Sequence, residues 1–210
     1  MCGIIGIASN KPVSINIINS LKRLEYRGYD SAGIATLNNK AINEKKCSGR
    51  VEQLEKILFK SPADGNLGIG HVRWATHGVP NYINAHPHSS EVVSVVHNGI
   101  IENSSELKKE LELKGLKFKS QTDTEVITML ISQNLVNKKP LEAVFSTLKK
   151  LKGSFALGII FKNFQNIIIG ARRGSPLAVG FSKDENYLGS DSYALKSMTN
   201  KISYLDDCDV

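Results

Sequence analysis

The chain has 210 residues, 41% of them hydrophobic and 22% charged, and it carries a formal net charge of +7. This composition is typical of a folded globular protein and excludes disordered and fibrous chains. The lysines are spread over amphipathic segments and lie opposite glutamates, so the positive charge indicates a solvated surface, and we expect no nucleic-acid partner.

Apolar runs and helical periodicity define the predicted elements in the first part of the chain. The run GIIGIA is too short for a helix and rich in isoleucine, which predicts a buried strand with Cys2 at its tip. Predicted strands cover residues 3–8, 32–37, a weaker stretch around 42, and 67–76. Predicted helices cover residues 13–26 and 51–59, and Arg27 and Gly28 mark the end of the first helix.

In the second part, a predicted strand at 92–100 is followed by predicted helices at 105–115, 123–136 and 141–153. Thr122 and Glu125 have the spacing of a capping box, which would put Asp123 in the first turn of its helix. Strand-like runs at 154–161, 166–173, 177–181 and 186–190 have short polar connections and predict an antiparallel meander. Helices that occur in pairs between groups of strands favour two sheets with helices outside them, formed by one domain over residues 1–210.

Cys2 is the first candidate for chemistry. Removal of Met1, which is common before a small residue, would leave Cys2 with a free α-amino group. Such a group titrates at about pH 8, so its neutral form can accept the thiol proton, and one residue then supplies nucleophile and base. Position alone favours a structural cysteine over this role, so the other motifs must decide.

Two motifs concentrate polar and aromatic side chains at the ends of predicted elements. In YRGYDSAG, Arg27 and Gly28 crowd a turn where glycine lets the backbone approach another group closely, although a helix cap with a surface ion pair explains them equally well. In HVRWATHG, the arginine fork suits a carboxylate and its neighbours add further donors, whereas a core tryptophan beside a surface arginine is the structural alternative. The residues of this second motif are Arg73, Trp74, Thr76 and His77.

Two later motifs add candidate donors and an acid. The Asn98 side-chain amide beside the Gly99 backbone N–H can form a pair of donors for an oxyanion. Asn-Gly is also a strong turn signal in any sequence. Asp123 offers a carboxylate for a substrate ammonium, or it only complements the positive end of its helix.

Several other kinds of site and location are disfavoured. The five histidines lack helical metal-ligand spacing, and the sequence has no CxxC pair or HExxH motif, so we expect no metal. No glycine-rich phosphate loop supports nucleotide binding. Three widely spaced cysteines indicate free thiols in the cytoplasm. A signal peptide and an apolar run of roughly 20 residues are both missing, so we expect no membrane association.

Taken together and in order, the segments MCGIIGI, LEYRGYDSAGIA, HVRWATHG, NAHPHSSE with VVHNGIIEN, and TDTEVI closely resemble the glutaminase domain of the glucosamine-6-phosphate synthase family. The resemblance extends from Cys2 through GSPLAVG and GSDSYAL, which is nearly the whole chain. At the position of YRGYDSAG, phosphoribosylpyrophosphate amidotransferases have a motif similar to HRGQDAAG. Asparagine synthetases have a motif similar to RGPD there. The resemblance implies a four-layer αββα sandwich of the N-terminal-nucleophile hydrolase type.

The resemblance also implies a reaction. L-glutamine would be hydrolysed to glutamate and ammonia through a thioester on Cys2, with the cysteine's own α-amino group as base and without a metal or cofactor. Asn98 and Gly99 would stabilise the tetrahedral oxyanion. Arg27 and Gly28 would lie beside the nucleophile and its amine.

Further residues would bind the glutamine, again as the resemblance implies. Arg73 would bind its α-carboxylate with help from Thr76 and His77. Asp123 would bind its α-ammonium, and Trp74 belongs to the loop that closes over it. One cationic and one anionic contact match the α-carboxylate and the α-ammonium of free glutamine.

Members of that family continue into sugar-isomerase domains that bind fructose 6-phosphate and receive the ammonia, whereas this sequence stops at YLDDCDV. We therefore expect no isomerase domains and an incomplete edge strand in the last sheet. By itself the chain should be a glutaminase. The sequence leaves the oligomeric state of the chain open, and a homodimer is one possibility. A non-catalytic glutamine-binding or regulatory domain is the main alternative, and it would lack glutamine-dependent ammonia release. Others are a glutaminase domain of the phosphoribosylpyrophosphate type and a basic RNA-binding protein, which would need aromatic platforms or a lysine stripe.

Overall fold

The computed structural model describes residues 2–75 and 78–210, and over these residues the chain forms eleven strands and six α-helices. The strands are β1 (Gly3–Ala8), β2 (Ser31–Asn38), β3 (Ala41–Ser48), β4 (Leu67–Arg73), β5 (His88–Ser89), β6 (Val93–Ile101), β7 (Gly153–Phe161), β8 (Phe164–Arg173), β9 (Ala178–Phe181), β10 (Asn186–Gly189) and β11 (Lys201–Tyr204). The helices are α1 (Ser14–Leu24), α2 (Val51–Lys60), α3 (Ser104–Leu113), α4 (Asp123–Asn134), α5 (Pro140–Leu148) and α6 (Ser192–Leu195). A single 3₁₀ turn, Glu25–Arg27, follows α1.

Within the described part of the chain these strands form two antiparallel sheets. The seven-stranded sheet has the order β11-β9-β10-β1-β4-β2-β3, and the four-stranded sheet has the order β5-β6-β7-β8. β1 lies in the middle of the larger sheet, paired on one side with β10 and on the other with β4. The first residues of the chain are therefore surrounded by structure on both edges.

Three hydrophobic clusters separate four layers. Side chains of a strand alternate between faces, so Ile5 packs with Leu21 of α1 on one face of the seven-stranded sheet. On the other face Ile4 packs between the two sheets with Val96 of β6. The third cluster packs the four-stranded sheet against α3, α4 and α5, with Ile127 of α4 fully buried. This arrangement is the predicted αββα sandwich.

The amphipathic pattern of α1 explains its place in the outer layer. Ile17, Ile18, Leu21 and Leu24 recur at helical spacing and are all buried, whereas Ile15 is exposed. Burial of one such side chain stabilises the folded state by about 1.5–3 kcal/mol relative to exposure. The packing of this helix fixes the inner strands, including β1.

The predicted meander of the last four strands is wrong. β7 and β8 form a hairpin in the four-stranded sheet, whereas β9 and β10 pair in the seven-stranded sheet. The chain crosses between the sheets after Gly174, which has a φ of +77°, and Leu177 is buried between them. Apolar runs with short connections identify strands, but they do not distinguish a hairpin from a crossover between two stacked sheets.

The predicted capping box of α4 is also absent, although the helix begins at Asp123 as expected. The Glu125 carboxylate accepts hydrogen bonds from the backbone N–H groups of Lys119 and Ser120, at 2.9 and 2.6 Å. The Thr122 hydroxyl contacts Nε2 of His88 at 2.9 Å. Both side chains satisfy polar groups of the neighbouring structure because α4 is buried on most of its surface.

Three short elements were not predicted from the sequence, namely β5, α6 and β11. β3 is a full strand of eight residues, longer than the weak stretch around Ile42 suggests. The last residues return to the four-stranded sheet, where the Cys208 N–H bonds to the Arg172 carbonyl and the Arg172 N–H to the Asp209 carbonyl, both at 3.0 Å. Among the described residues, no helix is both long and apolar enough to cross a bilayer.

Candidate active site

The register of three neighbouring strands in the seven-stranded sheet brings Cys2, Arg73 and the turn before β2 together at one end of these strands. β1 and β4 pair Gly3 with Val72, so Cys2 lies opposite Arg73 where the pair ends. β2 pairs Ser31 with Arg73 on the other side. The turn that precedes β2 carries Arg27 and Gly28 and therefore lies at the same end of these strands.

Cys2 is hydrogen-bonded through its thiol and its carbonyl group. The sulfur accepts from the Trp74 backbone N–H at 3.3 Å and donates to the Trp74 carbonyl at 3.6 Å. The Cys2 carbonyl oxygen accepts from Nε of Arg27 at 2.9 Å and from Nδ2 of Asn98 at 3.0 Å. Four backbone and side-chain groups thus fix the position of this residue.

Burial raises the pKa of the Cys2 thiol above its usual value. The hydrogen bond to Trp74 and the charges of Arg73 and Arg27 lower that pKa, but burial is the larger effect. The resting group is therefore a neutral thiol at neutral pH. Because the thiolate is the reactive nucleophile, this cysteine needs a base to accept its proton.

Gly28 allows the turn before β2 to touch the end of β4. A Cβ atom at this position would lie 2.5 Å from the Arg73 carbonyl carbon and 2.6 Å from the Trp74 nitrogen. Its φ of 174° is ordinary extended backbone, so the requirement for glycine comes from this contact alone. The close approach expected of Gly28 is present, and it involves the same N–H that bonds to the Cys2 sulfur.

Arg27 is paired with an acid that lies outside the predicted site motifs. Its Nη1 lies 3.0 Å from a carboxylate oxygen of Asp191, and both side chains are largely buried. Asp191 also caps α6 by accepting from the Ala194 N–H at 3.1 Å, and it accepts a hydrogen bond from the Tyr26 hydroxyl. An Asp directly before a short apolar segment is a helix-cap signal, which could have identified this residue.

Asp30 anchors the segment that follows β4. Its N–H donates to the Arg73 carbonyl at 3.0 Å, and its carboxylate accepts from the Ala75 N–H at 2.9 Å. The Tyr29 ring packs edge-on against Trp74, with 5.6 Å between the ring centroids. Trp74 is 44% exposed, so its side chain lies at the surface, whereas its backbone contacts Cys2. Thr76 and His77, the other predicted residues of this motif, lie outside the described residues.

Arg73 lies near Cys2 and near two carboxylates. Burial lowers the pKa of Arg73, and the acidic groups Cys2, Asp123 and Asp30 act in the opposite direction, so each of these three lies within electrostatic reach of Arg73. Asp123 accepts a hydrogen bond from the Ile101 N–H at 2.8 Å. The site therefore has a cation close to the thiol and an anion within electrostatic reach of that cation.

Asn98 and Gly99 lie near the end of β6 in the other sheet. Gly99 has a φ of +130°, and a Cβ atom there would lie 2.1 Å from the Ser154 carbonyl oxygen, so this position requires glycine. Asn98 is 6% exposed and directs its amide N–H at the Cys2 carbonyl, as described above.

The orientation of the Gly99 N–H follows from its neighbours. In an antiparallel strand the N–H and C=O of one residue point to the same edge, and alternate residues share that edge. The Ile101 N–H points to Asp123 and the His97 carbonyl to His71, both away from β7. Gly99 is the alternate residue between His97 and Ile101, so its N–H also points away from β7.

Three buried histidine rings pack against one another near Asn98. The rings of His71 and His86 are stacked with centroids 4.3 Å apart, and His88 lies edge-on to His86 at 4.8 Å. Burial lowers the pKa of His71 and of His88 to about 3, and it lowers the pKa of His86 well below its usual value. The three rings are therefore neutral at physiological pH. Over residues 2–75 and 78–210, no three His, Cys, Asp or Glu side chains form a group that could hold a metal ion.

The fold and the site together define a class of protein. Two antiparallel sheets packed face to face between helices, with a cysteine at the tip of a central strand, are the architecture of the N-terminal-nucleophile amidotransferases. The sequence comparison agrees, because a model of the glutamine amidotransferase domain matches residues 81–197. The chain belongs to this glutamine amidotransferase domain family.

Individual relatives are consistent with the family. The chain is 53% identical over 210 residues to the glutamine–fructose-6-phosphate aminotransferase (isomerizing) of Mesorhizobium japonicum, and 52% identical to that of Bradyrhizobium diazoefficiens. These matches cover all of this chain but only 35% and 34% of the relatives, so the chain spans about a third of their length.

A solved structure supports the fold independently. The glutamine phosphoribosylpyrophosphate amidotransferase of B. subtilis superposes with a TM-score of 0.82 at 27% identity, over 97% of this chain and 44% of that one.

Proposed function

We propose that the chain hydrolyses L-glutamine to glutamate and ammonia and that residues 1–210 form one glutaminase domain. The contact environment of Cys2 is the observation that carries this proposal. Its thiol is held against the Trp74 backbone, and the Asn98 amide of the second sheet donates to its carbonyl oxygen at 3.0 Å. Membership of the glutamine amidotransferase domain family supports the choice of an amide substrate.

Cys2 is the proposed nucleophile, and its own α-amino group is the proposed base. Removal of Met1 frees that amino group, whose pKa of about 8 leaves a useful neutral fraction at physiological pH. The raised pKa of the buried thiol makes such a base necessary. Transfer of the thiol proton to the amine gives a thiolate, which attacks the side-chain carbonyl carbon of glutamine.

Asn98 and Gly99 are the proposed oxyanion donors. Attack by sulfur turns the glutamine carbonyl oxygen into an alkoxide, which two aimed N–H groups stabilise. The protonated amine then gives its proton to the leaving nitrogen, so ammonia departs and a thioester remains. Water attacks the thioester through a second oxyanion at the same donors and releases glutamate. No step uses a metal or cofactor.

Charge and reach support the proposed binding of free glutamine. Arg73 is assigned to the α-carboxylate because its planar fork matches two carboxylate oxygens. Asp123 is assigned to the α-ammonium. Thr76 and His77 are proposed to help Arg73 bind the α-carboxylate, and Trp74 is proposed to belong to the loop that closes over the bound substrate. Arg27 and Gly28 are assigned to the support of Cys2 and of the Trp74 N–H.

The proposed destination of the ammonia follows from the relatives. Those with 53% and 52% identity are glutamine–fructose-6-phosphate aminotransferases, whereas the phosphoribosylpyrophosphate enzyme is 27% identical. We therefore propose that this domain supplies ammonia for aminosugar synthesis, with fructose 6-phosphate bound by a sugar-isomerase region, in the cytoplasm.

The test compares one chain with and without Met1, checked by intact mass, in an assay of glutamate release from L-glutamine. We expect the form without Met1 to be active and the form that retains it to be nearly inactive, because the base is then part of a peptide bond. Asparagine serves as the control substrate. Equal rates of the two forms would contradict the proposed base, and glutamine binding without glutamate release would favour a non-catalytic binding domain.

A further inference from the structure

His71 touches the side chain of the proposed oxyanion donor Asn98. It is a residue of β4, it is fully buried, and its ring reaches across to β6 in the other sheet. Its Nε2 lies 3.0 Å from the His97 carbonyl oxygen and 3.1 Å from Oδ1 of Asn98. One ring nitrogen therefore contacts both a backbone carbonyl and the Asn98 amide.

The His97 carbonyl selects the tautomer of this ring. A carbonyl oxygen only accepts hydrogen bonds, so Nε2 of His71 must carry the hydrogen. In the other tautomer a lone pair of Nε2 would face the carbonyl oxygen at 3.0 Å, and a buried acceptor would lose its donor. The neutral ring with hydrogen on Nε2 is the form that the contact requires.

That tautomer in turn sets the orientation of the Asn98 amide. Because Nε2 of His71 donates, the Asn98 atom that faces it must be the oxygen. The amide nitrogen then points the other way, toward the Cys2 carbonyl oxygen at 3.0 Å. If the amide were rotated by a half turn, its N–H₂ would face the histidine donor and its oxygen would face the Cys2 carbonyl.

The surroundings hold the ring in place. The His71 ring is stacked on that of His86, whose Nε2 contacts the Thr124 hydroxyl at 2.7 Å. His97 reaches the same hydroxyl through Nδ1 at 3.0 Å. Thr124 is fully buried on α4, so this part of the network is shielded from water.

We infer that His71 is a positioning residue: its Nε2–H holds the Asn98 amide with the oxygen toward His71 and the N–H₂ toward Cys2. This inference rests on the proposed function, because it assigns a partner to the proposed oxyanion donor. His71 does not touch the substrate. It acts by removing the orientation of Asn98 in which an oxygen would face the developing negative charge.

The kinetic test uses three variants in the form without Met1. His71→Met keeps the length of the side chain and removes the donor, whereas His71→Gln puts an amide N–H where Nε2 lies. We expect His71→Met to lower kcat for glutamine hydrolysis about tenfold or more, toward the roughly 10²–10³-fold loss typical of one missing oxyanion donor, with little change in KM. His71→Gln should recover most of the lost kcat.

His88→Met is the matched control, because it also removes a buried histidine but its ring contacts Thr122 and not Asn98. It should lower the thermal midpoint as much as His71→Met does and leave kcat unchanged. A kcat of His71→Met within about twofold of the parent chain, or equal losses in both methionine variants, would overturn the inference.

A double mutant separates action through Asn98 from a general loss of structure. In the Asn98→Ala background, His71→Met should have no further effect on kcat, because its target is gone. Additive losses would show that His71 acts by another route.

Nitrogen-15 NMR of labelled histidine reads the tautomer without any activity. Hydrogen on Nε2 of His71 is the expected result, and hydrogen on Nδ1 would overturn the inference even if His71→Met failed to fold. Absence of glutamate release by the parent chain would instead reject the proposed function, and the tautomer measurement would still decide the orientation of Asn98.

Discussion

Because several histidines are buried, we predict that the free energy of unfolding falls in mild acid. The relevant change is from about pH 7 to about pH 5. His71 and His88 have pKa values of about 3 in the folded protein because burial disfavours the charged ring. In the unfolded chain a histidine titrates at about 6.5. Between these values the unfolded state binds more protons, so the free energy of unfolding falls as the pH falls.

The magnitude follows from proton linkage. At pH 7 an unfolded histidine is mostly neutral, and at pH 5 it is almost fully charged, while the folded ring stays neutral at both. Each such histidine therefore lowers the free energy of unfolding by about 2 kcal/mol over this interval, and the two together lower it by about 4 kcal/mol. Below about pH 3 the folded rings also bind protons, and this contribution no longer changes.

Urea unfolding followed by circular dichroism at each pH measures this loss. Carboxylates titrate in the same range, so the comparison is between the parent chain and His88→Gln, in which an amide replaces the titrating ring. The variant should lose about 2 kcal/mol less than the parent between pH 7 and pH 5. A difference below about 0.5 kcal/mol would refute the conclusion that His88 is buried and neutral in the folded state.

Three further substitutions test other parts of the structure. Gly28→Ala should destabilise by about 1–3 kcal/mol in urea unfolding and lower kcat, because its Cβ would displace the backbone of Arg73 and Trp74; an unchanged stability would contradict the close contact. Glu125→Ala should cost roughly 2–5 kcal/mol, since two backbone N–H groups lose a charged acceptor, and a loss below about 1 kcal/mol would count against it. Asp123→Ala should raise KM for glutamine about tenfold or more through loss of the ammonium partner, whereas an unchanged KM would remove this residue from the binding site.

Much of the fold could be predicted because the apolar patterns are local. GIIGIA has no polar position, which matches a central strand buried on both faces, and β1 is such a strand. The spacing of apolar residues in α1 likewise matches a helix with one buried face. The grouping of helices and strands predicted two sheets with helices outside them, the resemblance implied four layers, and both expectations were confirmed.

The error in strand pairing concerns relations between distant segments. Whether β9 continues the hairpin of β7 and β8 or joins the other sheet depends on which apolar faces are already covered, and this is not a local property. The capping box of α4 failed for a local reason. Glu125 has the expected spacing, but two backbone N–H groups of the preceding loop bind its carboxylate instead.

The candidate site shows the same division. Short motifs identified Cys2, Arg73 and Asn98, and the register of β1 with β4 explains why the first two lie side by side. Asp191 and His71 were not selected, since their importance comes from partners more than 20 residues away in the sequence. The roles assigned to the site residues stay predictions.

The proposal that Cys2 is the nucleophile is tested most directly with the Cys2→Ala variant. The quantity to measure is its rate of glutamate release from L-glutamine, in the form without Met1. Cys208→Ala is the matched control, because Cys208 is an exposed thiol near the other end of the chain. Without the thiol no thioester forms, so Cys2→Ala should lose at least about 10³-fold in kcat while Cys208→Ala keeps the parent rate. Hydrolysis by Cys2→Ala at the parent rate would contradict the account.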